Sequence, residues 1–301
     1  MRHQDLVAYA NAPTAGHGGS GESLTASATP KLRLPRGTLA GWRLALGLVV
    51  GGTAMSAAAP ALHTSPQAAV LVVGGSMMNG NKFADRVLPG MREHFRGCQR
   101  VALVLHASHP ADRDRMEARL RAAFVDLGVP TAESLHRRDA AGAREWLREA
   151  DAIFVGGGET FVLLAELHRT GQLQIIRERV QAGVPYAGSS AGANIAGLII
   201  GTTNDFPTAD VPSREALGLL PATINPHHPL PAEPKDFASR SGKIKGYLRF
   251  NPGETVLALA DASMVRWHQG KAVLVVGTGW IYTATGVREL KEGEGESLAG
   301  R

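Results

Sequence analysis

From Ala68 onward, short and nearly continuous apolar runs alternate with longer stretches in which apolar positions recur every three or four residues. Ala69 to Val73 (AVLVV), Val101 to Leu105 (VALVL), Ala152 to Val155 (AIFV) and Pro185 to Gly188 (PYAG) are of the first kind. Such segments fit strands covered on both faces, because neither set of alternate side chains is polar. Between them, Asp112 to Leu127 carries Met116, Leu120, Ala123 and Leu127 at helical spacing, with arginines and acids opposite. Ala140 to Ala150 and Phe161 to Thr170 repeat that pattern. Two helical stretches stop at Gly128-Val129-Pro130 and Gly183-Val184-Pro185, where glycine supplies a left-handed cap and proline forbids continuation. The alternation predicts an α/β fold, a parallel sheet with crossover helices. After Pro252 the expectation changes to antiparallel strands over Thr255 to Ala260, Met264 to His268 and Ala272 to Val276. Gln269-Gly270 is expected as a tight turn between the last two. The Gly-rich acidic end from Lys291 to Arg301 reads as a frayed tail, leaving 68–290 as the folded domain.

The first 67 residues differ: they are rich in Gly, Ala, Ser and Thr, without sustained periodicity, and are expected to be a largely disordered extension. Within them Arg43 precedes an apolar run, Leu44 to Ala59, that ends in small residues, the order of a signal peptide, although its leader is too long. The run also falls short of the roughly 20 apolar residues of a spanning helix, so no membrane span is expected. A cytoplasmic protein is the expectation, with export through residues 43–59 as the alternative.

At 301 residues and 44% apolar content the chain can bury a substantial core. Formal net charge is +5, but the first 67 residues hold five Lys or Arg against two acids, so the remainder is nearly balanced and no basic surface points to nucleic acid. One cysteine, Cys98, excludes an internal disulfide and a Cys-based zinc site. No cofactor, no metal and no obligate protein partner is implied; the expected partner is a small substrate.

The segment PYAGSSAGANI, Pro185 to Ile195, holds Gly188-Ser189-Ser190-Ala191-Gly192 between a strand and a helix. A nucleophile elbow needs small residues around its serine because strand turns sharply into helix, and Gly188, Ala191, Gly192 and Ala193 meet that need. The turn lifts the Ser190 hydroxyl out of the sheet and places the Ala191 amide at the helix N-terminus, where it can donate to an oxyanion. An ordinary helix cap would use the same residues, but only Ser190 has glycine at both flanking positions. A second turn, Gly156 to Thr160 (GGGET), follows AIFV and opens another helix. It lacks the lysine and the spacing of a phosphate loop; beside the elbow, its Gly158 amide would be a second oxyanion donor.

A serine hydroxyl needs a base, and imidazole is the side chain closest to neutrality. Of 11 histidines, His227 and His228 stand out in the Pro-flanked segment INPHHP. Neighbours on extended chain point opposite ways, so only one can face Ser190, and spacing leaves the choice open. The acid that fixes the base is equally open: Asp205 in TTNDFP lies shortly after the elbow helix, with Glu159, Asp210 and Asp236 as rivals.

Four segments in order, GGGETF (Gly156 to Phe161), GSSAGANIAG (Gly188 to Gly197), TTNDFP (Thr202 to Pro207) and LGLLPATINPHH (Leu217 to His228), resemble the peptidase E, or aspartyl dipeptidase, family of serine peptidases. The resemblance spans Ala68 to Gly286. It implies a doubly wound, mostly parallel sheet flanked by helices, like that of class I glutamine amidotransferases, with a C-terminal antiparallel hairpin. It assigns the triad to Ser190, Asp205 and His227, and implies hydrolysis of dipeptides with N-terminal aspartate through an acyl-enzyme. An arginine that binds the aspartyl side chain in that family falls on Arg240, suited to the task because guanidinium grips carboxylate through two parallel bonds. The chain departs from the family pattern at Ser189, usually a large aromatic, and at Glu159, usually Asn. It also lacks the usual acids around Arg240. The alternatives are a cyanophycinase-like β-aspartyl peptidase, a non-catalytic small-molecule-binding member of the fold, and a general esterase. The last is disfavoured by the separation of 37 positions from Ser190 to His227, short for an α/β-hydrolase.

Overall fold

The computed structural model describes residues 61–63, 65 and 67–298, all within one compact unit, Ala57–Arg301. The signal-like run and nearly all of the extension lie outside the described residues. The first apolar run forms β1 (Val70–Val73), followed by a small hairpin of β2 (Met78–Asn79) and β3 (Lys82–Phe83) and by α1 (Leu88–His94). Then come β4 (Arg100–Val104), α2 (Arg113–Leu127), β5 (Thr131–Ser134), α3 (Ala140–Glu149) and β6 (Ala152–Val155). The elbow region comprises α4 (Thr160–Arg169), α5 (Gln172–Gln181), β7 (Tyr186–Ser189) and α6 (Ala191–Asn194). After β8 (Thr223–Asn225) and α7 (Pro234–Phe250), the chain is all strand: β9 (Val256–Leu259), β10 (Met264–His268), β11 (Lys271–Val276), β12 (Gly279–Thr283), β13 (Gly286–Glu289) and β14 (Gly295–Glu296).

Eight strands make the main sheet in the order β14-β11-β10-β1-β7-β6-β4-β5. From β1 to β5 every pairing is parallel, and β10, β11 and β14 extend it antiparallel from the other side of β1. The apolar runs are explained by burial on both faces. Val70 and Val72 pack with α3, α4 and α5 through Leu147, Leu163 and Ile176, while Leu71 and Val73 pack with α1 and α2 through Met91, Leu120 and Phe124. The fold is the doubly wound, mostly parallel α/β architecture.

Two expectations are revised. Strands β10 and β11 do form a hairpin through Gln269-Gly270, both with positive φ, but β9 does not join them. It pairs antiparallel with β12 and parallel with β8 inside a second, four-stranded sheet, β13-β12-β9-β8, closed on one side by α7 through Ile244, Leu248, Val256, Ala258 and Trp280. The segment from Lys291 to Leu298, expected to fray, returns to the main sheet as β14 beside β11 and buries Leu298 completely. Its acidic residues earn order by pairing, as in the 2.8 Å bridge from Arg288 to Glu296. Among the described residues no helix is long and apolar enough to cross a membrane.

Both sheets deliver their parallel strands to one edge. Val73 is opposite Ser189 in the β1–β7 register, so the chain leaves both strands side by side. Asn225 is opposite Ala258 in the β8–β9 register, and the His228 amide continues the ladder to Leu259 O at 2.9 Å.

Candidate active site

Ser190 stands one residue beyond β7 and one before α6, at φ 54° and ψ −113°, a conformation that costs a non-glycine residue energy and clusters at functional sites. Its surroundings hold it there. A Cβ at Gly188 would lie 2.3 Å from Gly192 O, and one at Gly192 2.2 Å from Val155 O, so the turn closes only with glycine at both positions. The buried Tyr186 hydroxyl donates to Gly192 O at 2.6 Å and braces the turn from below. Ser189 is buried as the last residue of β7 and turns away from solvent.

The two adjacent histidines part company. His227, itself at φ 54°, brings Nε2 to 2.8 Å from Ser190 Oγ. His228 is buried among Phe237, Trp280 and Tyr282. Its Nδ1–H donates to Pro229 O at 2.9 Å, which leaves Nε2 to accept from the Tyr282 hydroxyl at 3.1 Å. Burial lowers the His228 pKa, in keeping with a neutral, structural ring.

Asp205 does not reach the imidazole. Its Oδ2 accepts from the Thr160 amide at 2.9 Å and lies 3.2 Å from Thr203 Oγ1, so the carboxylate caps α4, whose own N-cap residue, Glu159, makes no side-chain cap bond. The place expected for it is taken by Asp261, whose Oδ1 accepts from His227 Nδ1 at 2.5 Å. The rivals are elsewhere too: Glu159 Oε2 accepts from Thr208 Oγ1 at 2.9 Å, and Asp210 and Asp236 are exposed. Asp261 follows β9, and because β9 runs parallel to β8 the turn after it emerges beside His227. Local sequence carries no signal for it, because what recruits Asp261 is the parallel pairing of β9 with β8. The hydrogen bond from His227 holds the Asp261 carboxyl below the usual aspartate range, and a second bond, from Ser76, acts in the same direction.

The Gly156–Thr160 turn lies against the serine, with a Cβ at Gly157 placed 2.9 Å from Ser190 Cβ. The Gly158 and Ala191 amides carry no hydrogen bond to a described group. Arg240, on α7, reaches Asn225 Oδ1 at 3.3 Å and the carbonyls of Pro226 and His227 at 3.5 Å. It pairs with no carboxylate among the described residues, and burial lowers its pKa. The arrangement is a proton path from a strained hydroxyl to an imidazole to a carboxylate, open to solvent, with a half-buried cation beside it.

A match to the Peptidase family S51 model extends over residues 70–275 and takes in Ser190, His227 and Asp261. The chain belongs to peptidase family S51. As a member it is a serine-type hydrolase acting on peptide bonds. Peptidase E of Streptomyces coelicolor is 37% identical over 207 residues, covering 68% of this chain and 83% of that one. A protein named probable alpha-aspartyl dipeptidase from Drosophila melanogaster is 37% identical over 210 residues, covering 68% and 85%. Among solved structures, a putative peptidase E from Listeria monocytogenes superposes with a TM-score of 0.54 at 22% identity, over 69% of this chain and 97% of that one. A peptidase from an acI-B1 actinobacterium gives 0.60 at 18%, over 76% and 96%. These two likenesses bear on the fold alone.

One further ionic group could be mistaken for a metal site in this S51 peptidase. Asp114, Glu117 and His136 bring their ligand atoms within 4.8 Å of one another, on α2 and just after β5 at the outer edge of the main sheet. Arg137 already binds Glu117 at 2.5 Å and Asp114 at 3.0 Å, so a guanidinium supplies the positive charge that a cation would bring. A cavity of about 640 Å3 lined by Glu254, Thr283 and Arg288 holds none of the residues around Ser190.

Proposed function

We propose that the protein hydrolyses dipeptides bearing an N-terminal aspartate, with Ser190 as nucleophile, His227 as general base and Asp261 as the acid that orients it. The observation that carries this reading is the continuous chain of hydrogen bonds, 2.8 Å from Ser190 to His227 and 2.5 Å from His227 to Asp261. A general base must lie within about 2.6–3.2 Å, atom to atom, of the group whose proton it removes, and the Ser190–His227 link meets that condition. His227 takes the Ser190 proton as Oγ attacks the peptide carbonyl. The Ala191 and Gly158 amides receive the oxyanion, and His227 then protonates the leaving amine. Water repeats the sequence on the acyl-enzyme, which frees the acid and restores the hydroxyl.

Selectivity for aspartate rests on Arg240. A half-buried guanidinium bonded only to neutral acceptors retains the capacity to take a carboxylate, and its contact with His227 O puts it at the end of the catalytic loop. The names of the similar proteins, peptidase E and alpha-aspartyl dipeptidase, point to the same substrate class. Hydrolysis of Asp-Leu, Leu-Leu and β-Asp-Arg by wild type, Ser190→Ala and Arg240→Ala tests both halves. Ser190→Ala should lose on the order of 10⁴-fold or more in kcat and all labelling by a fluorophosphonate probe. Arg240→Ala should lose about 10- to 100-fold in kcat/KM for Asp-Leu while leaving Leu-Leu unchanged. Full activity of Ser190→Ala removes the nucleophile assignment; equal losses on both α-dipeptides remove the substrate assignment.

A further inference from the structure

The end of β1 and the segment that leaves it, Val73-Gly74-Gly75-Ser76, touch the turns that carry Ser190, His227 and Asp261. Going along it, Val73 O accepts from the Ser190 amide at 3.1 Å, Gly74 O from the His227 amide at 3.0 Å, and Gly75 O from the Ala262 amide at 2.8 Å. The Gly74 amide in turn donates to Ser263 O at 3.0 Å. Three consecutive carbonyls therefore hold, in order, the serine, the histidine and the turn that carries Asp261. The last residue adds its side chain: Ser76 Oγ–H donates to Asp261 Oδ2 at 2.8 Å, the carboxylate oxygen that His227 leaves free.

Two features show that the segment is shaped for this contact. A Cβ at Gly75 would stand 2.1 Å from His227 Cε1 and 2.7 Å from Asp261 Oδ1, so only glycine lets β1 pass beneath the imidazole–carboxylate pair. Ser76 itself is held at φ 48°, a backbone state uncommon for residues other than glycine. Five non-glycine residues among those described have positive φ, and four of them, Ser76, Ser190, His227 and Ala262, belong to this one cluster. The strain is concentrated where the four loops meet.

We infer that Ser76 is a positioning residue of the active site, fixing the Asp261 carboxylate in the plane and direction that His227 requires, and that the β1 exit is the template on which the catalytic loops are registered. A carboxylate anchored through one oxygen alone can rotate about its Cβ–Cγ bond; a donor on the second oxygen removes that freedom. The inference rests on the reading of Asp261 as the orienting acid given under Proposed function.

The test uses the full-length protein with Ser76→Ala, Ser76→Gly, Ser76→Asn and Asp261→Asn. Alanine removes the hydroxyl and keeps the backbone strain; glycine removes the hydroxyl and relieves the strain; asparagine tolerates positive φ and offers an amide donor. Both hydroxyl-deleted variants should lose about tenfold in kcat for Asp-Leu at unchanged KM, a loss sized to one hydrogen bond to a charged group. The asparagine variant should recover most of that loss. The low-field proton resonance of the His227–Asp261 hydrogen bond should move in the alanine and glycine variants, a response that a purely structural serine would not give. Wild-type kcat in either hydroxyl-deleted variant, with Asp261→Asn inactive, overturns the role of Ser76 alone. Full activity of Asp261→Asn overturns both the acid assignment and the inference built on it.

Discussion

The loop after the elbow helix and the turn after β9 each present an aspartate among the loops of the site, and the two carboxylates are used in different ways. Asp205 faces back into the protein, taking the Thr160 amide at the first turn of α4, while Asn204, its neighbour, donates to Pro226 O at 2.9 Å. This loop is thus a strap between the Gly-rich turn and the histidine loop. Asp261 faces outward, half exposed, and is bonded on one oxygen by His227 and on the other by Ser76. The difference comes from topology. Asp205 is near the site because its loop crosses between two others, whereas Asp261 is at the site because a parallel strand pair delivers it beside the imidazole. Proximity to a histidine in space does not identify its partner; the ring nitrogen that is free and the acid that can meet it do.

The sharpest way to break this comparison is to remove one carboxylate at a time. Asp261→Asn should lower kcat/KM for Asp-Leu by about three to four orders of magnitude, because an amide in that place favours the wrong imidazole tautomer and cannot stabilise the imidazolium. Asp205→Asn should retain most of the activity, since its amide oxygen can still accept from Thr160. The reverse ranking in steady-state kinetics would mean that the strap and the acid have been interchanged. A smaller effect separates the loops by stability. Asp205→Ala deletes the carboxylate that caps α4 and should cost about 1 kcal/mol. For a domain of this size that is a fall of about 2–4 °C in Tm. With the Gly157–Thr160 turn loosened beside Ser190, kcat should fall about tenfold. Asp261→Ala removes the partner of His227 and Ser76 and should also lower Tm in the same melts, but by less than Asp205→Ala, because its two bonds are made at a half-exposed position.

These contrasts also show what the amino-acid pattern could convey. Strands β1, β4, β6 and β7 were legible because both of their faces are buried, so the apolar run has no polar interruption to blur its ends. Helices α2, α3 and α4 were legible from one-sided periodicity. Strand β5 was not, since Thr131, Glu133 and Ser134 are polar in a strand at the sheet's rim, where one side carries no further strand. Helix α7 has buried positions only at Ser241, Ile244 and Leu248, too few to mark a period in a lysine- and arginine-rich stretch. At the site, Ser190 was readable because the glycines its turn demands are adjacent to it in the chain. Asp261 was not, because what recruits it is the pairing of β8 with β9 across 30 residues of intervening chain, a fact about strand direction that local composition does not carry. Ser76 was hidden for the same reason: its importance lies in what β1 runs beneath.

The smallest expected effect is the most exact test of the comparison. From the elements packed around Asp261, His227 is the titratable group that faces it and Ser76 the neutral donor; the bond from His227, then the bond from Ser76, depresses its carboxyl pKa. The sign follows from linkage: a carboxylate with a lowered pKa contributes fully above its ordinary value of about 3.9, and the contribution is lost as pH falls through the depressed one. The hydrogen bond that His227 Nδ1 donates to Asp261 Oδ1 across 2.5 Å makes the two a unit. Asp205, hydrogen-bonded to the α4 amide and the Thr203 hydroxyl, has no part in that unit. The acid limb of kcat/KM for Asp205→Asn should therefore superpose on that of wild type even if its plateau is lower. A limb displaced by more than about 0.3 pH units would mean that Asp205 is electrostatically coupled to the imidazole, and the division of labour between strap and acid would have to be abandoned.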